Sequence, residues 1–211
     1  MPTLDQARAW YQGADVIHDF DHIIRVYRMA ERIGRAEAAQ LDIVHAAALL
    51  HDADELMAES ASARANHHER SADFAALILG DEGWPSDRIE RVQHCIRAHR
   101  FRGTKAPQTL EAQVLFDADK LDAIGAIGAA RALGYAALHG NPFYAEPSPE
   151  FLESWELAED EVHTAYHEYL FKLARIPERL YTATGKAIAQ ERVAYMREFF
   201  ERLGMELAGE K

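Results

Sequence analysis

Residues 46–55 read AAALLHDADE, five apolar residues that run straight into an imidazole and three carboxylates. The apolar run reaches back through Val44 and Ile43, and its three- and four-residue spacing is that of a helix with a face in the core. A bare imidazole or an ionised carboxylate beside such a run costs several kcal/mol unless it is paired, hydrogen-bonded or bound to a metal. The stretch therefore decides the fold through its spacing and raises the chemistry through its charges.

Outward from it, apolar residues recur at helical rather than alternating spacing almost everywhere, which predicts an all-α chain. Helices are expected over about 3–12, 20–34, 38–52, 66–80, 86–99, 109–121, 124–138, 150–175 and 184–204. Gly34, GDEGWPSD at 80–87 and RGTKAPQT at 102–109 mark breaks between them. HGNPFYAEPSPE at 139–150 carries three prolines and is the longest irregular piece, which beside a site would serve as a lid.

Helical phase sorts the polar residues. Val26, Met29 and Ile33 form an apolar face, and four residues back from Val26 stands His22. Val44, Ala47 and Ala48 lead to His51, with Asp52 next at the helix end. Ile89, Val92 and Ile96 continue into His99, while His94 lies on the other side. In LEAQVLFDADKLDAIG, Leu115, Asp119 and Asp122 share a flank from which Asp117 falls away. His67 and His68 are each in phase with apolar residues, so spacing does not choose between them. One inward histidine is usually a hydrogen-bonded core residue. Several imidazoles and carboxylates converging from separate helices would leave many unsatisfied atoms, and a divalent cation satisfies them together. The mixed nitrogen and oxygen set suits Mn, Fe, Zn, Ni or Mg rather than a thiolate-loving ion.

The bulk numbers exclude other classes. A chain of 211 residues fits one domain, and 48% hydrophobic with 27% charged residues is an ordinary globular composition. A net charge of -12 argues against a nucleic-acid polymer or an anionic membrane as the main partner. The lone Cys95 makes no internal disulfide, the first residues lack a secretory pattern, and no apolar segment reaches the roughly 18 residues of a membrane span. A cytoplasmic location is expected.

The strings HDFDHIIRVYRMA (18–30), AALLHDADE (47–55), HHERSA (67–72), AHRF (98–101) and DADKLDAIGAIGAAR (117–131) together resemble the HD superfamily of metal-dependent phosphohydrolases. They are close to one branch of it, the small predicted hydrolases that include bacterial nucleotide pyrophosphohydrolases. The likeness continues into TGKAIAQERVAYMREFFERL (184–203). It implies an all-α, HD-domain helical bundle over 1–211, with a helical extension from about 150 packed on it. The family pattern of His, adjacent His-Asp and distal Asp falls on His22, His51, Asp52 and Asp119, the implied metal ligands. His67 and His99 fall where relatives bind a second metal or contact phosphate; Arg100, from the basic run after His99, and Asp122, in phase with Asp119, are the further expected substrate contacts. Glu55 stands where relatives carry the acidic residue that handles the attacking water, Asp54 is the alternative base, and Lys120 supplies the basic residue after the distal Asp. One departure is AYHEYLFKLARI (165–176), which puts Tyr169 where a lysine is frequent.

The expected activity is hydrolysis of a nucleotide, such as a (d)NTP to monophosphate and pyrophosphate, by a water activated on a divalent ion, with Mn the leading choice. Arg97, Arg100, Arg102 and Lys105 in RAHRFRGTK form a local basic run suited to a small phosphorylated substrate. Trp84, Phe101 and Tyr144 are candidates to stack a base. A nucleotidase releasing phosphate, a non-catalytic nucleotide-sensing domain and a di-iron oxygenase are the rival readings, and a homodimer stays open.

Overall fold

In the computed structural model of the protein, residues 1–11, 20–53, 67–100 and 105–211 are described. Asp54, Glu55, Phe101 and Arg102 lie outside them. Every regular element among the described residues is helical. The chain divides into two compact units, Met1–Asp119 with Leu180–Gly185, and Lys120–Arg179 with Lys186–Lys211.

The first unit is organised by the opening stretch. Helix α3 (Leu41–Leu50) is buried from Ile43 through Leu50 except at His45. A helix apolar on nearly every side must be covered all round. It is covered by α1 (Leu4–Trp10), α2 (Phe20–Ala36), α4 (His67–Asp81) and α5 (Ser86–Ala98). Each fully buried Leu or Ile, such as Leu49, Leu50 or Ile43, contributes about 1.5–3 kcal/mol. Helix α1 starts with a capping box in which the Thr3 hydroxyl accepts from Gln6 N and the Gln6 side chain accepts from Thr3 N. Tyr11, just past its end, donates its hydroxyl to Leu49 O at 2.8 Å and so fixes α1 against the last turn of α3.

Helix α6 (Leu110–Leu121) is joined to the start of α3 through Glu111, which accepts from Gln40 N at 3.0 Å and from Arg91 of α5 at 3.2 Å. Farther along α6, the fully buried Asp117 accepts from Tyr181 N at 2.9 Å, from Thr182 N at 2.8 Å and from the Thr182 hydroxyl at 2.6 Å. The Thr182 hydroxyl in turn accepts from Gly185 N at the start of α10 (Ala183–Leu207). A Cβ at Gly185 would meet Asp117 Oδ2 at 2.5 Å, which is why this turn needs glycine.

In the second unit, α7 (Gly125–Leu138) begins at a glycine with φ of +81°, a left-handed entry that other residues rarely adopt. It packs with α9 (Ala165–Phe171), which leads into a 3-10 helix over Leu173–Arg179. Tyr169 is buried and stacks on Phe200 of α10 with ring centroids 5.0 Å apart, so this departure from the family string is a packing residue.

The expected helix over 150–175 is broken. The structure has a short α8 (Pro149–Ser154), an irregular stretch, α9 and the 3-10 helix. Trp155 adopts a left-handed conformation with φ of +62° and ends α8. Glu161 then draws the chain back: its carboxylate accepts from Ser148 N and Oγ, each at 2.7 Å, and from Ala158 N at 3.2 Å. Helical periodicity carried no trace of this side-chain competition for backbone donors.

Candidate metal centre

His51 caps the C-terminal end of α3, and His99 does the same for α5. The last carbonyls of a helix lack intrahelical partners. Both histidines use them: His51 Nδ1 lies 2.9 Å from Ala48 O, and His99 Nδ1 lies 2.6 Å from Ile96 O. Because a carbonyl only accepts, each Nδ1 carries the proton and each Nε2 presents a lone pair. Two helix ends therefore aim two imidazole Nε2 atoms by the same device. Burial pushes the His51 pKa down to about 4, against the pull of Asp52, so this ring stays neutral at physiological pH.

The Nε2 atoms converge on Asp52. Its Oδ2 is 3.3 Å from His51 Nε2 and 3.8 Å from His22 Nε2, while its Oδ1 is 3.4 Å from both His67 Nε2 and His99 Nε2. His22, in the first turn of α2, also lies 3.5 Å from Asp119 Oδ1 on α6. Burial raises the Asp52 carboxyl, while protonation of the facing His51, His99 or His22 rings draws it well below the ordinary carboxylate range.

These separations are longer than hydrogen bonds. Those of His51, His67 and His99, 3.3–3.4 Å, match donors sharing an ion, since two ligands each about 2.1 Å from one centre at tetrahedral or octahedral angles lie about 3.0–3.4 Å apart, and those of His22, 3.5 and 3.8 Å, are slightly longer. His51 Nε2 and Asp52 Oδ1 are buried with no hydrogen-bond partner among the described residues. Such orphaned acceptors are uncommon in native structures and call for an occupant. Two triads have the proximity of ligand sets, His22 with His51 and Asp52, and Asp52 with His67 and His99. The residues present thus fit a divalent cation.

The structure chooses between the paired histidines: His67 faces Asp52, and His68 stands edge-on to the His67 ring at 5.7 Å, with Nδ1 buried and unpartnered among the described residues. Arg100 follows His99 and is partly buried, and Lys120 follows Asp119 in the last turn of α6. Asp122 lies just past that helix and accepts from Arg131 Nη1 of α7 at 2.8 Å. Asp54 and Glu55 lie outside the described residues. In the basic run, Arg97 is already paired with Glu69 and Asp73, and Lys105 with Glu69. Sequence reading missed these partners, and also the buried role of Asp117, because contacts between helices leave no periodic signal.

A family model described as the HD domain matches residues 19–124, which hold all of the residues just described around Asp52. The chain belongs to the HD family. It is 30% identical over 213 residues to YpgQ of Bacillus subtilis, covering 97% of this chain and 94% of that protein. The crystal structure of YpgQ in complex with ADP matches with a TM-score of 0.73 at 31% identity, over 99% of this HD chain and 100% of that one. An HD-superfamily hydrolase from Bacillus thuringiensis matches with a TM-score of 0.72 at 26% identity, over 97% of this chain and 94% of that chain.

Proposed function

We propose that the protein is a metal-dependent phosphohydrolase that cleaves a nucleoside triphosphate with water to the monophosphate and pyrophosphate. The observation that carries this is the Asp52 carboxylate ringed by the Nε2 atoms of His22, His51, His67 and His99, with His51 Nε2 and Asp52 Oδ1 left as buried, unpaired acceptors. Hydrolases among its structural relatives and the ADP bound to YpgQ support the substrate class.

His22, His51, Asp52 and Asp119 would hold the ion, for which Mn is our choice. A bound divalent cation supplies a water whose pKa falls from about 15.7 toward about 7 and neutralises charge on a phosphoryl oxygen. Ala48 O and Ile96 O orient the His51 and His99 rings, which keeps their lone pairs directed inward without a proton in the way. Glu55, or Asp54, takes the proton of the attacking water. His67 and His99 face the phosphate, with Arg100 and Lys120 balancing its negative charge and Asp122 contacting the substrate. A cytoplasmic setting fits, since the buried Cys95 needs no oxidising compartment.

Incubation with Mn and a panel of (d)NTPs, with products resolved as pyrophosphate or orthophosphate, tests the reading. Pyrophosphate supports it, orthophosphate alone makes the enzyme a nucleotidase, and no turnover of any phosphoester or anhydride overturns it. Glu55→Gln is expected to retain Mn and lower kcat about a hundredfold, within the range for general acid–base groups. Full rate in that variant removes Glu55 from the mechanism.

A further inference from the structure

His67 opens α4 and His99 closes α5, so the two imidazoles facing Asp52 Oδ1 stand at helix ends beside the stretches 54–66 and 101–104. Their rings are 5.5 Å apart and belong to helices held together away from the site by Gln93 Nε2, which donates to Ala72 O at 3.0 Å. Nearer the site, among the described residues, two carboxylates of α4, Glu69 and Asp73, make the join to Arg97 of α5. Glu69, two residues after His67, accepts Arg97 Nε on Oε2 at 2.7 Å and Lys105 Nζ on Oε1 at 2.8 Å. Arg97 stands two residues before His99 and spends Nη2 on Asp73 Oδ1 at 3.0 Å. Lys105 directly follows 101–104. Glu69 therefore ties the start of α4, the end of α5 and Lys105 through both of its oxygens.

We propose that Glu69 is a positioning residue that sets the spacing of His67 and His99 across the Asp52 Oδ1 side of the constellation. This rests on the hydrolytic reading given above. The opposite side behaves differently, because His51 is fully buried and its ring is fixed by packing and by Ala48 O. Glu69, by contrast, is 40% exposed and Lys105 52% exposed. Partly exposed ion pairs contribute little to global stability but are screened by salt. The Glu69 join is thus sensitive to neutralisation and to ionic strength while the fold and the His22–His51 side are not.

The test uses histidine ring carbon–proton spectra of the full chain without added metal, with signals identified through single His→Gln variants. Glu69→Gln is expected to move the His67 and His99 signals and leave those of His22 and His51 in place. Salt at about 1 M, where the Debye length is about 3 Å, is expected to move the wild-type signals in the same direction. Loaded with Mn, Glu69→Gln should lose about tenfold or more in kcat/KM with its Tm close to wild type, since small misplacements cost rate rather than fold. Glu69→Asp should recover part of the loss. Glu206→Gln, which removes an exposed pair with Arg202, should change none of these. His67 and His99 signals that ignore both Glu69→Gln and salt overturn the proposal. Wild type without turnover defeats the hydrolytic reading alone, and the ring spectra still decide Glu69. Should Glu69→Gln fail to fold, the salt titration of wild type decides the point by itself.

Discussion

Glu161 in the second unit and Asp52 in the first are both carboxylates set against histidine, and their surroundings differ in one respect. Glu161 accepts from Ser148 N and Oγ, from Ala158 N and from His167 Nε2 at 2.9 Å, while His167 Nδ1 accepts the Thr164 hydroxyl at 2.6 Å. Every member of that chain of contacts has a partner, and what it accomplishes is to hold an irregular loop. At Asp52 the Nε2 atoms of His67 and His99 stand 3.4 Å from Oδ1, beyond ordinary hydrogen-bond distance, and Oδ1 has no donor among the described residues. Residue types alone do not separate a clasp from a reactive centre; the balance of donors and acceptors does.

The largest expected effect comes from erasing the imbalance. Asp52→Ala should cut hydrolysis by more than about a hundredfold, the outer range for loss of a merely supporting residue. It should also abolish the rise in Tm that Mn gives the wild type, a rise worth about 2.7 kcal/mol at a hundredfold excess over Kd. Without metal the variant should melt no lower than wild type, because it deletes an unpaired acceptor rather than a satisfied one. A metal-free Tm several degrees lower would mean that Asp52 is structural and the contrast with Glu161 false.

His167→Ala attacks the other side of the comparison. It opens a cavity beside Phe151, whose ring lies 4.6 Å from that of His167, and leaves Glu161 and Thr164 short of a partner. Chemical denaturation should show a loss of about 2–4 kcal/mol. The Mn-induced shift in Tm should persist. A shift that disappears would show that the two clusters are coupled rather than different in kind.

The smallest effect is a pH dependence. Hydrogen bonds from Ser148 backbone and hydroxyl, joined by those from His167 and Ala158, lower the Glu161 carboxyl from its ordinary 4.5 to about 2. The unfolded chain therefore binds a proton first as pH falls, so the stabilisation is fully present above about 4.5 and drains away toward 2. Glu161→Gln should flatten the fall of stability across that window in urea titrations. An unchanged slope would strip Glu161 of its role as a satisfied clasp.

Much of the all-helical fold and the inward placement of His22, His51 and His99 was legible in the sequence, because both follow from phase along a single helix. His67 over His68 was not legible from phase, since each continues an apolar row; the family likeness of HHERSA pointed to His67. Asp122 shows the limit of spacing rules: it follows Asp119 by three, but α6 ends at Leu121, and its pairing with Arg131 of α7 leaves no mark in the spacing. The break after Ser154 escaped for a related reason, since it depends on Glu161 finding Ser148 thirteen positions back.

The back-bonding of His51 and His99 onto Ala48 O and Ile96 O makes each ring part of its helix terminus. Fraying of that last turn and swinging of the imidazole are then one event. Whatever steadies the rings also raises the barrier to local opening there, and slower amide exchange at those two helix ends becomes a gauge of occupancy that needs no substrate.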